Sequence, residues 1–165
     1  MNLSLTERCY DLLAREAPVA SDLRFIVSVM RVLCELERIG DLSLRVVKLA
    51  ADQPLIASNP PTYDILKGMA DEATDRYRAA LRAWATDDLE TAVELASGSP
   101  SMTVHRDRLT AELLLLDRPD AVPLALATTT AGQAFDRIAD HASVMGARLR
   151  YLLTGDPDHP VAEVR

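Results

Sequence analysis

The sequence predicts an all-α fold of long helices, and three observations predict it. Aromatic residues make up only 4% of the chain while Ala, Leu and Val abound, a composition that favours helices over sheets. Apolar residues recur at three- and four-residue spacing over long stretches, the period of a helix face. A five-residue signature, Glu37-Arg38-Ile39-Gly40-Asp41, returns as Asp136-Arg137-Ile138-Ala139-Asp140, an offset of 136 − 37 = 99. With 165 residues, 48% of them hydrophobic, the chain holds enough apolar material for one domain or two small repeats, which excludes wholesale disorder.

Taken in order, residues 3–16 show an amphipathic pattern with Leu5, Cys9, Leu12 and Leu13 on one side, and Pro18 breaks it. Ser21 is the expected cap of a second helix, with Asp22 in its first turn, where the helix dipole favours an anion. That helix is expected to run from Asp22 to about Ala50. Asp52-Gln53-Pro54 through Asn59-Pro60-Pro61 reads as a loop and as the boundary between the two copies. A third helix fits Thr62 to Ala85. From Asp87 to Leu116 the pattern stays helical except at Ser97-Gly98-Ser99-Pro100-Ser101, which must kink or split it. Arg118-Pro119-Asp120 is a turn with a cap, the last helix fits Ala121 to about Thr154 with Pro123 in its first turn, and residues 155–165 are expected to be a flexible tail. Trp84 and the run Leu113–Leu116 read as core or interface.

Helical spacing also places the signature acids. Ile26, Met30, Leu33, Gly40, Leu44 and Val47 form a candidate packing seam with Glu37 on it and Asp41 at its edge. In the second copy Ala125, Thr129, Gly132, Ala139, Ser143 and Gly146 form the seam, with Asp136 inside it and Asp140 one turn on. A carboxylate in a seam needs a counter-charge, a proton or a metal. Both an internal ion pair (Asp41 with Arg45, Glu37 with an Arg from another helix) and coordination by i,i+4 acids satisfy that requirement. His141, about 100° round the helix from Asp140, reads as an edge residue rather than a ligand. Arg24, Arg31, Arg38 and Arg45 recur at sevens and drift only about 20° per heptad. They form either a solvated face, with Glu35 pairing Arg31 and Arg38, or a docking stripe for an acidic partner.

Several classes fall away. Lys+Arg 18 against Asp+Glu 25 leaves −7; residues 1–50 balance at seven each, so the whole excess lies on residues 51–165. A nucleic-acid backbone is therefore not the expected partner. Two cysteines, Cys9 and Cys34, build neither a disulfide framework nor a zinc site, and no apolar run reaches the roughly 18–20 residues of a membrane span, so the expected location is the cytoplasm. The Glu-x-x-His signature of a di-metal carboxylate enzyme is absent, since Met102, Ile138 and Asp156 stand three before His105, His141 and His159. No Gly-rich phosphate loop or nucleophile–base set is present, and inorganic phosphate has no visible site in the sequence. The expectation is a binding protein, not an enzyme.

Ala17-Pro18-Val19-Ala20-Ser21-Asp22-Leu23-Arg24, followed by Glu35-Leu36-Glu37-Arg38-Ile39-Gly40-Asp41 and by the second signature at 136–140, resembles the PhoU family of phosphate-transport accessory and regulatory proteins. The resemblance covers about residues 3–154 and implies tandem three-helix bundles. Residues 1–50 would be a first repeat of two helices, 51–61 a linker and 62–154 a second repeat of three, about five long helices in all. A full family member would place a whole helix and part of another before Met1, so a homodimer is expected to cover the open seam. The family's acid-x-x-x-acid motif implies iron or another divalent or trivalent metal at Glu37, Asp41, Asp136 and Asp140. The acidic motif expected near 97–101 is replaced by Ser97-Gly98-Ser99-Pro100-Ser101, which leaves a multinuclear cluster short of ligands. The resemblance further implies a cytosolic adaptor between the phosphate transporter's ATPase subunit and a sensor histidine kinase, damping phosphate-starvation signalling. Membrane contact would come only through those partners, and the Arg24–Arg45 row would be one contact surface. A purely structural helical oligomer is the alternative.

Overall fold

A computed structural model describes residues 2–156, and all the regular structure within them is helical. Helix α1 spans Asn2–Glu16 and α2 Ala20–Lys48; a 3-10 turn over Leu49–Asp52 leads to the short α3, Gln53–Ala57. Then follow α4 (Pro60–Thr86), α5 (Leu89–Ala96), α6 (Pro100–Leu114) and α7 (Ala121–Thr154). Five of these reach fifteen residues or more: α1, α2, α4, α6 and α7.

Local chemistry sets most helix ends. Asn59 caps α4 by accepting from the Thr62 N–H at 3.2 Å, Asp88 caps α5 by accepting from Thr91 at 3.1 Å, and Ser99 caps α6 by accepting from Met102 at 3.2 Å. Pro60 and Pro100 stand in the first turn, where a missing N–H costs nothing. Gly155 closes α7 in the left-handed region at φ 73°, its N–H donating to Tyr151 O at 2.8 Å. The expected break at 97–101 is a full split, with Gly98 at φ 85° between α5 and α6.

Three expectations need correction. Ser21 is not a cap: α2 starts at Ala20, the extended residue before it is Val19, and no side chain caps the end. Asp120 does not cap α7, because its carboxylate is taken by the Arg118 guanidinium. Residues 51–61 are not an open loop, since 3-10 turn, α3 and the start of α4 occupy all but Ser58 and Asn59. Across that segment Val32, Ile39 and Leu42 of α2 share one cluster with Ile65 and Met69 of α4, Leu95 of α5 and Ala139 and Met145 of α7. Of the flexible tail expected over 155–165, residues 157–165 lie outside the described residues.

Helix α7 touches every other element except α1. Half of its buried positions are Ala or Gly, namely Ala127, Ala131, Gly132, Ala134, Ala139, Ala142 and Gly146, which lets neighbours approach closely. Trp84 packs at the edge of the core and donates its indole N–H to Met145 O at 2.9 Å. Within the leucine run, Leu113 packs on the core while Leu114 and Leu115 face solvent.

The seam expected on α2 is only half covered. Ile26 and Leu33 are buried, but Glu37, Gly40, Leu44 and Val47 are exposed. Instead Ser28, Val32, Glu35, Ile39 and Leu42 form the face turned to the core. At 15 residues against 29, α1 spans about half the length of α2 at 1.5 Å per residue, and among the described residues it packs on α2 alone.

The glycines of the two copies therefore differ in role. A Cβ on Gly146 would lie 2.5 Å from Leu95 Cβ and 2.9 Å from Ala92 O, whereas a Cβ on Gly40 meets nothing within 4 Å. Gly146→Ala is expected to destabilise the protein by about 1–3 kcal/mol. Gly40→Ala is expected to stabilise it by about 0.5–1 kcal/mol, and opposite shifts in urea midpoints followed by circular dichroism check the pair.

Candidate functional site

Helices α2 and α7 run antiparallel. Arg24 lies against Gly155, Glu35 meets His141, and Arg38, Leu42 and Arg45 share a cleft with Gln133 and Arg137, so the register falls along one helix as it rises along the other. This pairing brings the two copies of the signature face to face.

At its centre is a buried polar contact. The His141 imidazole is 4% exposed, and its Nδ1 lies 2.6 Å from Glu35 Oε2, itself on a buried residue. At that distance one hydrogen is shared between the two atoms. Glu35 Oε1 also accepts from Arg38 at 3.5 Å, which ties the exposed guanidinium to the buried pair. Both expectations about these residues are corrected: His141 is a core residue rather than an edge one, and Glu35 faces inward rather than onto a solvated stripe. The sequence signal was present, for Glu35 falls in register with Ser28, Val32, Ile39 and Leu42.

Beside this pair lies an open cleft of about 480 Å³, with Arg38, Asp41 and Arg45 on the α2 side and Gln133, Arg137 and His141 on the α7 side. Arg38 and Arg137 are equivalent residues of the two copies, 137 − 38 = 99. The arginine row is not one surface. Arg31, Arg38 and Arg45 are exposed, but Arg24 is half-buried, its guanidinium lying over Gly155, where a cation suits the C-terminal end of the α7 dipole.

The signature acids lie in different surroundings. Glu37 is exposed, and Asp41 lines the arginine cleft. Asp136 turns to α6, where Arg106 donates to it at 3.2 Å, and borders a smaller apolar cavity of about 170 Å³. A further polar cluster that sequence reasoning missed lies between α4, α5 and α7. Half-buried Arg76 donates to Leu95 O at 2.8 Å and Ser143 Oγ at 2.9 Å. Burial pulls the pKa of its guanidinium down, while the charges of Glu72, Glu94 and Asp140 push it back up. Glu72 in turn accepts from Ser99 at 2.6 Å, and its pKa is lowered chiefly by that bond.

Comparison with known proteins gives the family. The PhoU domain model matches residues 1–50. The chain is 31% identical over 159 residues to a phosphate-specific transport system accessory protein PhoU homolog of Pseudomonas putida, covering 94% of this chain and 61% of that one. It is also 31% identical over 153 residues to PhoU homolog 2 of Mycobacterium tuberculosis, covering 90% of this chain and 70% of that relative. The chain belongs to the PhoU family. The crystal structure of PhoU from Pseudomonas aeruginosa superposes with a TM-score of 0.86 at 28% identity, covering 94% of this chain and 75% of that one.

Among the described residues of this PhoU-family chain no three His, Cys, Asp or Glu side chains are grouped so as to hold a metal ion. The cations that answer the acids are guanidiniums of the chain itself: Arg106 for Asp136, and Arg76 amid Glu72, Glu94 and Asp140.

Asp140 retains an unrelieved cost. Its edge reaches solvent, yet the crowding of its carboxyl raises its pKa, and the Asp136 charge one turn away raises it further. His141, Arg106 and Arg137 offset part of this. A carboxyl whose folded pKa is raised binds more protons folded than unfolded, so stability falls as pH rises through that value. Asp140→Asn is accordingly expected to raise the melting temperature at pH 7. The gain should vanish below the ordinary carboxyl value of 3.8, where both states are protonated. A gain independent of pH in thermal melts would contradict this account.

Proposed function

We propose that this chain is a regulator of phosphate uptake and of phosphate-starvation signalling, working as a cytosolic adaptor rather than an enzyme. Its partners would be the ATPase subunit of a phosphate transporter and a sensor histidine kinase, and its effect negative when phosphate is plentiful. The observation that carries the reading is kinship along nearly the whole chain, in sequence and in fold, with proteins named as phosphate-specific transport accessory proteins. The chain spans 61% of the length of the Pseudomonas putida relative, so the role of the full-length protein enters only as part of this proposal. No helix among the described residues is long and apolar enough to cross a membrane, which agrees with membrane contact through partners. Arg31 and its exposed neighbours on α2 supply a positive face for docking on a chain of net charge −7.

In a strain lacking this gene, a phosphate-starvation reporter should be derepressed in high phosphate and silenced again by residues 1–165. Arg31→Glu should weaken that silencing without loss of helicity. A deletion strain that stays repressed would remove the regulator reading.

A homodimer belongs to the same proposal. Leu44 and Val47 are 60% and 67% exposed beside the open Gly40, and a second copy would cover this face. Leu44→Glu with Val47→Glu should then halve the mass found by light scattering. A wild-type chain already monomeric at micromolar concentration would exclude it.

A further inference from the structure

We propose that the cleft between α2 and α7 binds a phosphate-bearing anion, with the guanidiniums of Arg38, Arg45 and Arg137 as its donors. Arg38, Arg45 and Arg137 line the cleft against the carboxylates of Asp41 and of Glu35, which pairs with Arg38, so the cleft keeps a positive excess in a chain whose net charge is −7. Guanidiniums present paired N–H groups at the spacing of two phosphate oxygens, and three of them can share the oxygens of one group or span two.

One donor is tied to the buried pair beside the cleft. Glu35 bridges buried His141 and Arg38, which links Arg38 to the imidazole that forms part of the cleft wall. With Nδ1 engaged by Glu35, Nε2 is the ring atom left for the cleft, and the Gln133 amide adds neutral donors. Arg38 and Arg137 come from equivalent positions of the repeat, so one signature used twice supplies both sides of the site. At about 480 Å³ the cleft admits more than one phosphate group.

This inference does not rest on the adaptor reading, and a binding assay on the purified chain separates the two. The full chain is titrated with inorganic phosphate and, separately, with pyrophosphate, at pH 7.5 and moderate salt, followed by calorimetry and amide chemical shifts. Saturable binding is expected, with shifts confined to α2 and α7. Arg45→Gln and Arg137→Gln, both exposed positions that leave the core intact, should each weaken it roughly tenfold or more. Asp41→Asn should tighten binding, a direction that a purely structural role would not produce. Arg78→Gln, exposed on α4, should leave affinity unchanged. Tighter binding of pyrophosphate assigns the site to linked phosphates, and equal or tighter binding of phosphate assigns it to the free ion. Absence of saturation with either anion up to about 20 mM, or equal weakening by Arg78→Gln, would overturn the proposal.

Discussion

Everything in this fold depends on one helix being narrow. Helix α7 is approached from several sides, and a helix can be packed that way only if its own side chains leave room. Its alanines and two buried glycines provide that room, most visibly at Gly146, where α5 comes so close that no Cβ fits. The large apolar residues that fill the core are then supplied largely by the helices packed around it, such as Met69 of α4 and Leu95 of α5. Close approach also brings backbone carbonyls within reach of side-chain donors, which is how Trp84 finds Met145 O and Arg76 finds Leu95 O.

Several inward charged groups of these tightly packed helices find partners within the protein. Glu35 and His141 find each other, Asp136 finds Arg106, and Arg76 sits amid three acids. Such pairs are not large sources of stability, because desolvation consumes most of the Coulomb gain. Their consequence is positional. Each joins two particular helices at one register, and the Glu35–His141 contact sets α2 against α7 so that the two signature copies confront one another. The cleft and its three arginines follow from that register.

The fold class, the five long helices and most of their ends were legible in the sequence, because caps, prolines and three-four periodicity act over a few residues. The split at Ser97–Ser101 and the stop at Gly155 are examples, each decided by a local backbone requirement. The repeat was legible as well, since a signature returning after 99 residues needs no structure to be seen. Errors arose where two answers were locally equivalent. Helix α2 has apolar residues on two faces, and the pattern containing Leu44 and Val47 looked as good a seam as the one containing Val32, Ile39 and Leu42. Glu37 was placed inside for that reason, while Glu35, two positions earlier, is the acid that is buried.

By itself, then, the sequence determined that this protein is a helical repeat with paired acids and arginines at equivalent positions. Those features depend on spacing along one chain, and spacing is complete in the sequence. Only the tertiary structure decided which face of α2 turns to α7, that His141 answers Glu35, and that Arg38 and Arg137 meet across one cleft. These are contacts between residues about a hundred positions apart, set by how closely two helices can approach and in which register, which periodicity along a single helix does not encode.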